Sequence, residues 1–347
     1  MIAFVEAKRP DYEQVRMLLA DSEASGTWSN FGPLSCRFEE TVAEILELPA
    51  GRRVIACASG TVALHGLVQL YEHMAARPLR WVVSAFTFYA HRQGPLAAAR
   101  VLDCDAHGFL DPDALAGLST DAYDGIVVTN LFGTALHVER YEELAAAAGK
   151  ILLFDSGTCF GSTYRGKAFG GLGAGEIFSF HHTKPCGFGE GGCAVVPSEL
   201  GDTFRSLINF GLYRGIDTGA RSSNGKMSDV AAAFILDRLR HLEAIRAAHV
   251  RQFRRLATIA RALGLELLVD GEAEGSLPNL VPILFPRPVE ASRLVRSPLV
   301  VLKYYRPVAD TPRAQALYAR VVCFPCHRDV EGVTDGELRS VLTDLMQ

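Results

Sequence analysis

Between residues 50 and 200 the chain alternates short apolar runs with segments of helical spacing. The apolar runs predict strands at Arg53 to Ala58, Trp81 to Ser84, Arg100 to Cys104, Gly125 to Thr129 and Lys150 to Phe154. Helices are predicted between strands, at Thr61 to Tyr71 and at Glu139 to Ala148. Strands that alternate with helices form a mainly parallel sheet that is covered on both faces. The chain therefore belongs to the α/β class.

The rest of the chain predicts a smaller α+β unit. Cys193 to Val196 is a further strand, and Ser228-Asp229 is a predicted N-cap for a long helix that joins two units. The remaining predicted elements are a helix at 250–263, strands at 266–270, 279–285 and 299–305, and a terminal helix. We therefore expect a large N-terminal domain at residues 1–227 and a small C-terminal domain, which includes the connecting helix, at residues 228–347.

Composition excludes several classes of protein. With 347 residues and 49% hydrophobic side chains, the chain has enough apolar material for a sizeable core. The net charge of −4 offers no basic surface for nucleic acid, so no such partner is expected. No apolar run reaches the about 18 residues that span a bilayer. The charged N-terminal segment is unlike a secretory signal, and eight scattered cysteines fit a reducing compartment, so we expect a cytoplasmic protein with no membrane partner.

Polar residues follow two of the predicted strands. Ser59-Gly60-Thr61 follows the first strand, and Asp155 follows the strand at 150–154. Ligands of parallel sheets bind at the carboxyl ends of the strands, so these two segments are expected to share one crevice. The first segment also precedes a helix, where free N–H groups favour a phosphate. Its plainer interpretation is an ordinary helix cap.

Lys184 ends the stretch Phe178-Ser179-Phe180-His181-His182-Thr183-Lys184. A lysine that forms an imine and a carboxylate that binds a pyridinium nitrogen are the minimal chemistry of a pyridoxal phosphate (PLP) enzyme, and Asp155 would supply the carboxylate. Taken singly, each residue has a plainer interpretation as a surface lysine or a turn residue. The run Gly187 to Gly192 matches G-x-G-x-x-G but leads into a strand instead of a helix, which excludes a nicotinamide or flavin site.

Cys323-Phe324-Pro325-Cys326-His327 has the spacing of covalent haem attachment. The motif stands alone, without a second Cys-x-x-Cys that would complete a zinc site. Cysteines acting as small hydrophobic residues near a strand end are the favoured interpretation, and a haem or metal site is the alternative. No metal site is predicted.

Taken together, the motifs occur in the order that is typical of one family. The segments are Trp28 to Pro33 with Phe38-Glu39, Ser59 to Leu64, Phe86 to Ala90, Leu131 to Gly133, Asp155, Tyr164 to Lys167, Ser179 to Lys184, Asn224 to Ser228 and Cys323 to His327. Over nearly its whole length the chain resembles the DegT/StrS family of PLP-dependent sugar aminotransferases. The resemblance implies the fold-type-I, aspartate aminotransferase-like architecture.

The resemblance also implies a role for each matched residue. Lys184 would hold PLP covalently and transfer a proton between the substrate carbon and the cofactor. Asp155 would pair with the pyridine nitrogen, and Phe88 would stack on the ring. The remaining cofactor-binding positions are Gly60, Thr61 and Ser179 at the phosphate, Thr158 three residues after the aspartate, and Asn224, which would reach the phosphate of the neighbouring subunit. This last role implies a homodimer with shared active sites.

The reaction implied by the resemblance is a ping-pong transamination. An amino donor, with L-glutamate favoured, would convert PLP to pyridoxamine phosphate (PMP), and a keto-sugar, expected to be nucleotide-linked, would then accept the amino group. The lysine at position 184 argues against the dehydratase branch of the family, in which histidine replaces it. The predicted partners are thus a small amino donor, a keto acceptor and a second copy of the chain.

The chain departs from the family pattern on the substrate side. Thr158 replaces Gln or His, Ser156 and Gly157 replace alanines, Phe160 stands where His is frequent, and the segment between Tyr305 and Val321 is short. Two alternatives therefore stay open: a PLP enzyme acting on an aminocyclitol or non-sugar metabolite, and a non-catalytic regulatory or scaffold dimer. Residues that could line an acceptor pocket, or be structural, are Trp28, Asn30, His181, His182, Lys303 and Tyr305.

Overall fold

The computed structural model describes residues 1–273, 275–294 and 298–347. In these ranges the strands are β1 (Arg52–Cys57), β2 (Trp81–Ser84), β3 (Arg100–Leu102), β4 (Gly125–Thr129), β5 (Ile151–Asp155), β6 (Thr163–Tyr164), β7 (Lys167–Ala168), β8 (Gly175–Ser179), β9 (Gly192–Pro197), β10 (Glu266–Leu267), β11 (Leu280–Leu284) and β12 (Val321–Pro325). The α-helices are α1 (Tyr12–Ser25), α2 (Pro33–Ile45), α3 (Gly60–Met74), α4 (Pro112–Ala116), α5 (Val138–Ala148), α6 (Gly201–Leu207), α7 (Asp229–Leu239), α8 (Leu242–Ala262), α9 (Pro312–Arg320) and α10 (Asp335–Met346).

The central sheet has seven strands in the order β1-β9-β8-β5-β4-β2-β3. The pairs from β8 to β3 are parallel, whereas β9 is antiparallel to both of its neighbours, β1 and β8. Because β9 reverses twice, β1 points in the same direction as β8 and the rest of the parallel strands. The carboxyl ends of β1, β2, β4, β5 and β8 therefore meet at one edge of the sheet.

Both faces of this sheet are buried, which explains why its strands read as continuous apolar runs. Along β4, Ile126 and Val128 pack into the hydrophobic cluster on one face, which also contains Phe38 of α2. Val127, between them, packs into the cluster on the other face with Leu67 of α3. The alternation of side chains along a strand thus divides one apolar run between two layers of helices.

The strands that were predicted for the central sheet are confirmed, but one strand of that sheet was missed and one strand predicted outside it is wrong. No strand was expected at Gly175–Ser179, yet β8 forms there and completes the parallel part of the sheet. The predicted strand at 299–305 is wrong, because the described residues of that segment make only isolated bridges, Leu299 to Ile2 and Leu302 to Cys323. Leu299 and Leu302 each pair with a residue that is distant in sequence, and the spacing of apolar residues does not reveal such pairing.

The connecting helix predicted after Ser228-Asp229 is α7, which ends at Leu239. The next helix, predicted at 250–263, is α8, which begins at Leu242, eight residues before its predicted start. α8 packs against α10 and the three-stranded antiparallel sheet β10-β11-β12.

We propose that the chain is divided into domains at residues 1–227 and 228–347. The first residues nevertheless bond to the C-terminal part, since Ile2 N donates to Pro298 O at 2.6 Å. Among the described residues no helix is long and apolar enough to cross a membrane.

Asp229 joins three segments that are remote in sequence. Its buried carboxylate accepts hydrogen bonds from Ser22 Oγ at 2.7 Å and from the backbone N–H groups of Leu34 and Ser35, each at 3.0 Å. These N–H groups are the first of α2, whose N-cap residue, Gly32, has no side chain to accept them. A Cβ atom on Gly32 would lie 2.6 Å from Asp229 Oδ2, so the glycine makes room for the distant cap.

Replacing Asp229 with Asn tests this cap. The amide retains the shape of the carboxylate but has one acceptor oxygen and no charge, so one buried N–H loses its partner. We expect the free energy of unfolding to fall by about 1–3 kcal/mol in urea denaturation. Asp21→Asn, at an exposed carboxylate, is the matched control and should change stability by less than about 0.5 kcal/mol. Equal stabilities for the two variants would contradict the assignment of the cap.

Candidate active site

A cavity of about 750 Å³ opens at the edge where the parallel strands end. Its walls include Asp155 at the end of β5, Ser179 at the end of β8, and Thr129 at the end of β4. The Ser59-Gly60-Thr61 turn, which follows β1, lines the same cavity. Lys184 also reaches it, from the loop after β8. The shared crevice that the sequence predicted is therefore present.

Asp155 is held by His91, a residue that the sequence analysis did not single out. His91 Nε2 lies 2.7 Å from Asp155 Oδ2, and because a carboxylate only accepts, Nε2 must carry the proton. The N–H of Gly157 donates to Oδ1 at 2.9 Å. Burial raises the pKa of Asp155, but these hydrogen bonds and the nearby Lys184 outweigh it and hold the pKa below its usual value. The carboxylate thus stays ionised at the wall of the cavity.

The segment after β2 brings His91 to this position. Thr87 Oγ1 lies 2.6 Å from Thr129 Oγ1, which in turn lies 3.3 Å from His91 Nε2. β2 and β5 are the two neighbours of β4 in the sheet, so residues that follow them meet above it. The parallel sheet could have pointed to His91. Polar residues that follow β2 fall at the same edge of the sheet as Asp155, which ends β5.

Lys184 lies in a loop that buries much of its side chain. Burial lowers its pKa below the ordinary value for lysine, while Asp155 and Cys159 oppose the shift. A lysine with a depressed pKa spends more of its time as the neutral amine, which is the nucleophilic and basic form. The structure therefore places Lys184, with its lowered pKa, in the same cavity as Asp155.

The opposite part of the cavity is lined by hydroxyl and backbone N–H groups. Gly60 and Thr61 begin α3, so their N–H groups have no partner within the helix. The Ser59 hydroxyl caps the same helix by accepting from Val62 N at 3.2 Å, the ordinary role considered for it. Gly192 lies directly behind, where a Cβ would be 2.4 Å from Gly60 N. This close approach explains why the glycine-rich run ends in glycine.

The other predicted cofactor residues occupy different positions. Phe88 lines the cavity and is 47% exposed. Thr158 also lines it, but its hydroxyl donates to Asn130 O at 3.3 Å and accepts from Gly133 N at 3.2 Å. Asn224 is exposed outside the lining of its own chain's cavity, with Oδ1 accepting from Lys226 Nζ at 2.7 Å.

Two departures from the family pattern have structural explanations. Ser156 bridges two buried groups, since it accepts from Asn130 Nδ2 at 2.9 Å and donates to the Glu176 carboxylate. Burial raises the pKa of Glu176 to about 7. Phe160 packs between two rings, with its centroid 4.7 Å from that of Phe180. Ser156 and Phe160 thus make buried contacts with neighbouring side chains.

A further group of residues that line the cavity carries aromatic and amide side chains. Phe4, from the N-terminal segment, stacks on Tyr304 at a centroid distance of 5.9 Å, and both rings line the cavity with Tyr305 and Asn279. Of the six residues considered for an acceptor pocket, His181 and Tyr305 line the cavity, whereas the lining does not include Trp28, Asn30, His182 and Lys303. Phe4 and Tyr304 were missed, because nothing local indicates that the first residues reach the site.

The Cys-x-x-Cys-His motif lies away from the cavity. Cys323 and Cys326 are buried among the apolar side chains around β12. His327 Nε2 lies 3.2 Å from Ala3 O, so the ring contacts the N-terminal segment. Across the described ranges, no three His, Cys, Asp or Glu side chains are grouped as metal ligands. The packing interpretation accounts for the two cysteines.

Comparison with known proteins gives three findings. The model of the DegT/DnrJ/EryC1/StrS aminotransferase family matches residues 11–345. Protein Rv3402c of Mycobacterium tuberculosis is 33% identical over 227 residues, 62% of this chain and 55% of that protein. The L-glutamine:2-deoxy-scyllo-inosose aminotransferase of Streptoalloteichus tenebrarius is 27% identical over 230 residues, 61% of this chain and 53% of that protein. The chain thus spans about half the length of these curated relatives.

The crystal structure of DesI, solved in the presence of its TDP-sugar product, is similar with a TM-score of 0.78 and 27% sequence identity, covering 97% of this chain and 90% of DesI. With the family match across 11–345, this likeness is decisive: the chain belongs to the DegT/DnrJ/EryC1/StrS aminotransferase family. The predicted family, fold class and PLP cofactor are thereby confirmed.

The residues of the cavity fit PLP. An ionised carboxylate suits a protonated ring nitrogen, an amine suits the aldehyde carbon, and the N–H and hydroxyl groups around Gly60 and Ser179 suit a phosphate. The volume of about 750 Å³ leaves room for a substrate beside the cofactor. Among the described residues that line the cavity, Lys184 is the one lysine or arginine.

His91→Phe tests the hydrogen bond to Asp155. Because the pKa of Asp155 is lowered in the folded protein, its ionised form contributes stability above its ordinary value of about 4, and that contribution disappears as the pH falls through the lowered pKa. The variant should therefore lose about 1–3 kcal/mol of unfolding free energy at pH 7 and less at pH 3, measured by urea denaturation of cofactor-free protein.

The exposed His241 provides the control for this measurement. His241→Phe should follow the wild-type pH profile, whereas His91→Phe should converge on it only at low pH. A difference between His91→Phe and wild type that does not change with pH would show that lost packing, and not the ionised Asp155, is responsible.

Proposed function

We propose that the protein is a PLP-dependent transaminase that moves an amino group from a small amino donor, L-glutamate first among candidates, to a ketone on a sugar or cyclitol ring. The observation that carries the proposal is that Lys184, whose pKa is lowered, and the ionised Asp155 line the same cavity. Intact cofactor residues argue against the alternative of a non-catalytic regulatory or scaffold dimer. We propose that the protein is soluble and acts in the cytoplasm, a compartment that fits such chemistry.

When bound, PLP withdraws electrons from the substrate carbon and stores the amino group between two half-reactions. Asp155, kept ionised by His91, would hold the ring nitrogen protonated so that it can draw in this charge. Lys184 Nζ would hold the cofactor, be freed by the incoming amine, and then carry the proton between substrate and cofactor carbons. Phe88 would set the tilt of the ring through an offset contact.

At the other end of the cofactor, the phosphate would be bound by the N–H groups of Gly60 and Thr61 and by the hydroxyls of Thr61 and Ser179. The N-terminus of α3 adds the favourable end of a helix dipole. Thr158 would act from beside the cofactor by holding the turn after β4, through its bonds to Asn130 and Gly133. These residues fix the cofactor against the sheet edge, so that substrates approach from the open side.

A specific observation favours the cyclitol or other uncharged ring as acceptor over a nucleotide-linked sugar. The acceptor side presents the Phe4 and Tyr304 rings and the Asn279 amide, groups suited to the apolar face and hydroxyls of a polyhydroxylated ring. Within the described chain, Lys184 is the cation that lines the cavity, whereas a diphosphate calls for several cationic or N–H donors. A nucleotide-linked substrate would need them from a second subunit.

Lys184→Ala tests the first half-reaction. Purified wild-type protein with PLP should be yellow, and L-glutamate should bleach the visible band as 2-oxoglutarate is released. In Lys184→Ala the band should be altered and the bleaching slowed by about 10²–10⁴-fold, because the proton carrier is lost. The exposed Lys167 gives the matched control, and Lys167→Ala should behave as wild type. An unchanged spectrum in Lys184→Ala would remove the assignment.

The return half-reaction separates the acceptors. The amino-loaded protein is presented with an uncharged cyclitol ketone or with a nucleotide-linked keto-sugar, and recovery of the visible band is followed. Faster recovery with the cyclitol ketone would support the acceptor side described above, and recovery with the nucleotide-linked sugar alone would contradict it. Failure with every amino donor in the first step would instead count against transamination itself.

Asn224 is proposed to complete the phosphate site of a second copy of the chain. Its exposed position outside its own chain's cavity supports this role. If it is correct, a mixed dimer of Lys184→Ala and Asn224→Ala chains contains one site in which both residues are intact. Random mixing should then restore roughly a quarter of wild-type activity, measured by glutamate turnover. Each variant alone is the control, and no gain on mixing would rule out the shared site.

A further inference from the structure

The N-terminal segment crosses from the C-terminal part of the chain to the loop that carries Lys184. Near its start, Ile2 N donates to Pro298 O at 2.6 Å, and just before Lys8, Ala7 N donates to Asp329 Oδ2 at 2.9 Å. Between these anchors, Phe4 stacks on Tyr304 at the cavity. The segment therefore contacts the cavity wall before it reaches the lysine loop.

Lys8, at the other end of the segment, is bound to the lysine loop itself. Its Nζ donates to the carbonyl oxygens of His182, Lys184 and Gly187 at 2.6, 2.5 and 2.6 Å. An ammonium group has three N–H donors and no acceptor, so these carbonyls match its full capacity. One of them belongs to Lys184, which places a backbone restraint directly on the residue that carries the reactive amine.

A second cation, Arg238, also binds this loop. Arg238 of α7 donates through Nε to Pro185 O at 3.0 Å and also pairs with the carboxylate of Glu6. Glu6 lies two residues before Lys8, so the N-terminal segment and α7 are tied to each other across the loop. Four carbonyls of residues 182–187 thus accept hydrogen bonds from two cationic side chains, three from Lys8 and one from Arg238.

We propose that Lys8 is a positioning residue for Lys184: its ammonium clamps the loop by three carbonyl bonds, and links the position of the reactive amine to the C-terminal part of the chain. This role rests on the proposed function of Lys184. A displacement of about 1 Å at a reacting group reduces rates by about 100-fold, so a backbone restraint at Lys184 bears directly on the rate. Lys8 itself touches neither cofactor nor substrate in this role.

Lys8→Met tests the clamp, since it keeps most of the side chain's volume and removes the donors. We expect amide hydrogen exchange within residues 182–187 to accelerate by about tenfold or more in the cofactor-free protein, because the loop opens more often. With PLP bound, bleaching by L-glutamate should slow by about 10–100-fold. Lys8→Arg, which retains the charge and several donors, should recover part of both effects.

Arg9→Met is the matched control, because Arg9 is the next residue, carries the same charge and is exposed. It should leave exchange and bleaching at wild-type rates. If Lys8→Met does the same, the clamp is overturned. If exchange accelerates while bleaching is unchanged, Lys8 stabilises the loop without positioning Lys184, and the proposal also fails.

The two proposals can fail separately. An unchanged spectrum in Lys184→Ala would overturn the function of Lys184 and with it the positioning role, whereas the exchange rates of the cofactor-free Lys8 variants would still report on the contact itself. Should Lys8→Met yield no soluble protein, Lys8→Gln, whose amide can satisfy two of the carbonyls, is judged by the same criteria.

Discussion

A carboxylate that is buried at the end of a parallel strand must be given hydrogen bonds, and much of the site follows from how Asp155 receives them. His91 and Gly157 supply the donors, and Thr129, which contacts the histidine, comes from the neighbouring strand β4. Without them, burial would favour the neutral acid and the carboxylate could not hold a pyridinium nitrogen. The segment after β2 therefore has to lie over β4 and β5, and the order of strands in the sheet makes this possible.

Two other sets of groups at this edge have different physical requirements. The N–H groups at the start of α3 require an anion or water, and the lysine on the loop after β8 requires partial burial to lower its pKa. The double reversal at β9 brings these elements to one edge, because it keeps β1 in the direction of β8. The close approach of Gly192 to Gly60 shows how tightly the start of β9 packs against the turn that follows β1.

Much of the fold and part of the site could be predicted from the sequence. The strands β1, β2, β4 and β5 are apolar runs of ordinary length, and both faces of each are buried, so their local pattern was sufficient. β8 was missed, and the strand at 299–305 was predicted where only single bridges form. In both cases the outcome depends on which distant segment is available for pairing, since Leu302 pairs with Cys323 and Leu299 with Ile2.

The sequence by itself determined the α/β class, because apolar periodicity is a local property. The order of its motifs also singled out Lys184, Asp155 and the Ser59-Gly60-Thr61 turn as candidate site residues. Only the tertiary structure decided that His91 faces Asp155, that Phe4 stacks on Tyr304 at the cavity, and that Lys8 bonds to the loop of Lys184. Each of these contacts joins residues far apart in the chain. Their partners are chosen by strand order and by the path of the N-terminal segment, which no local pattern records.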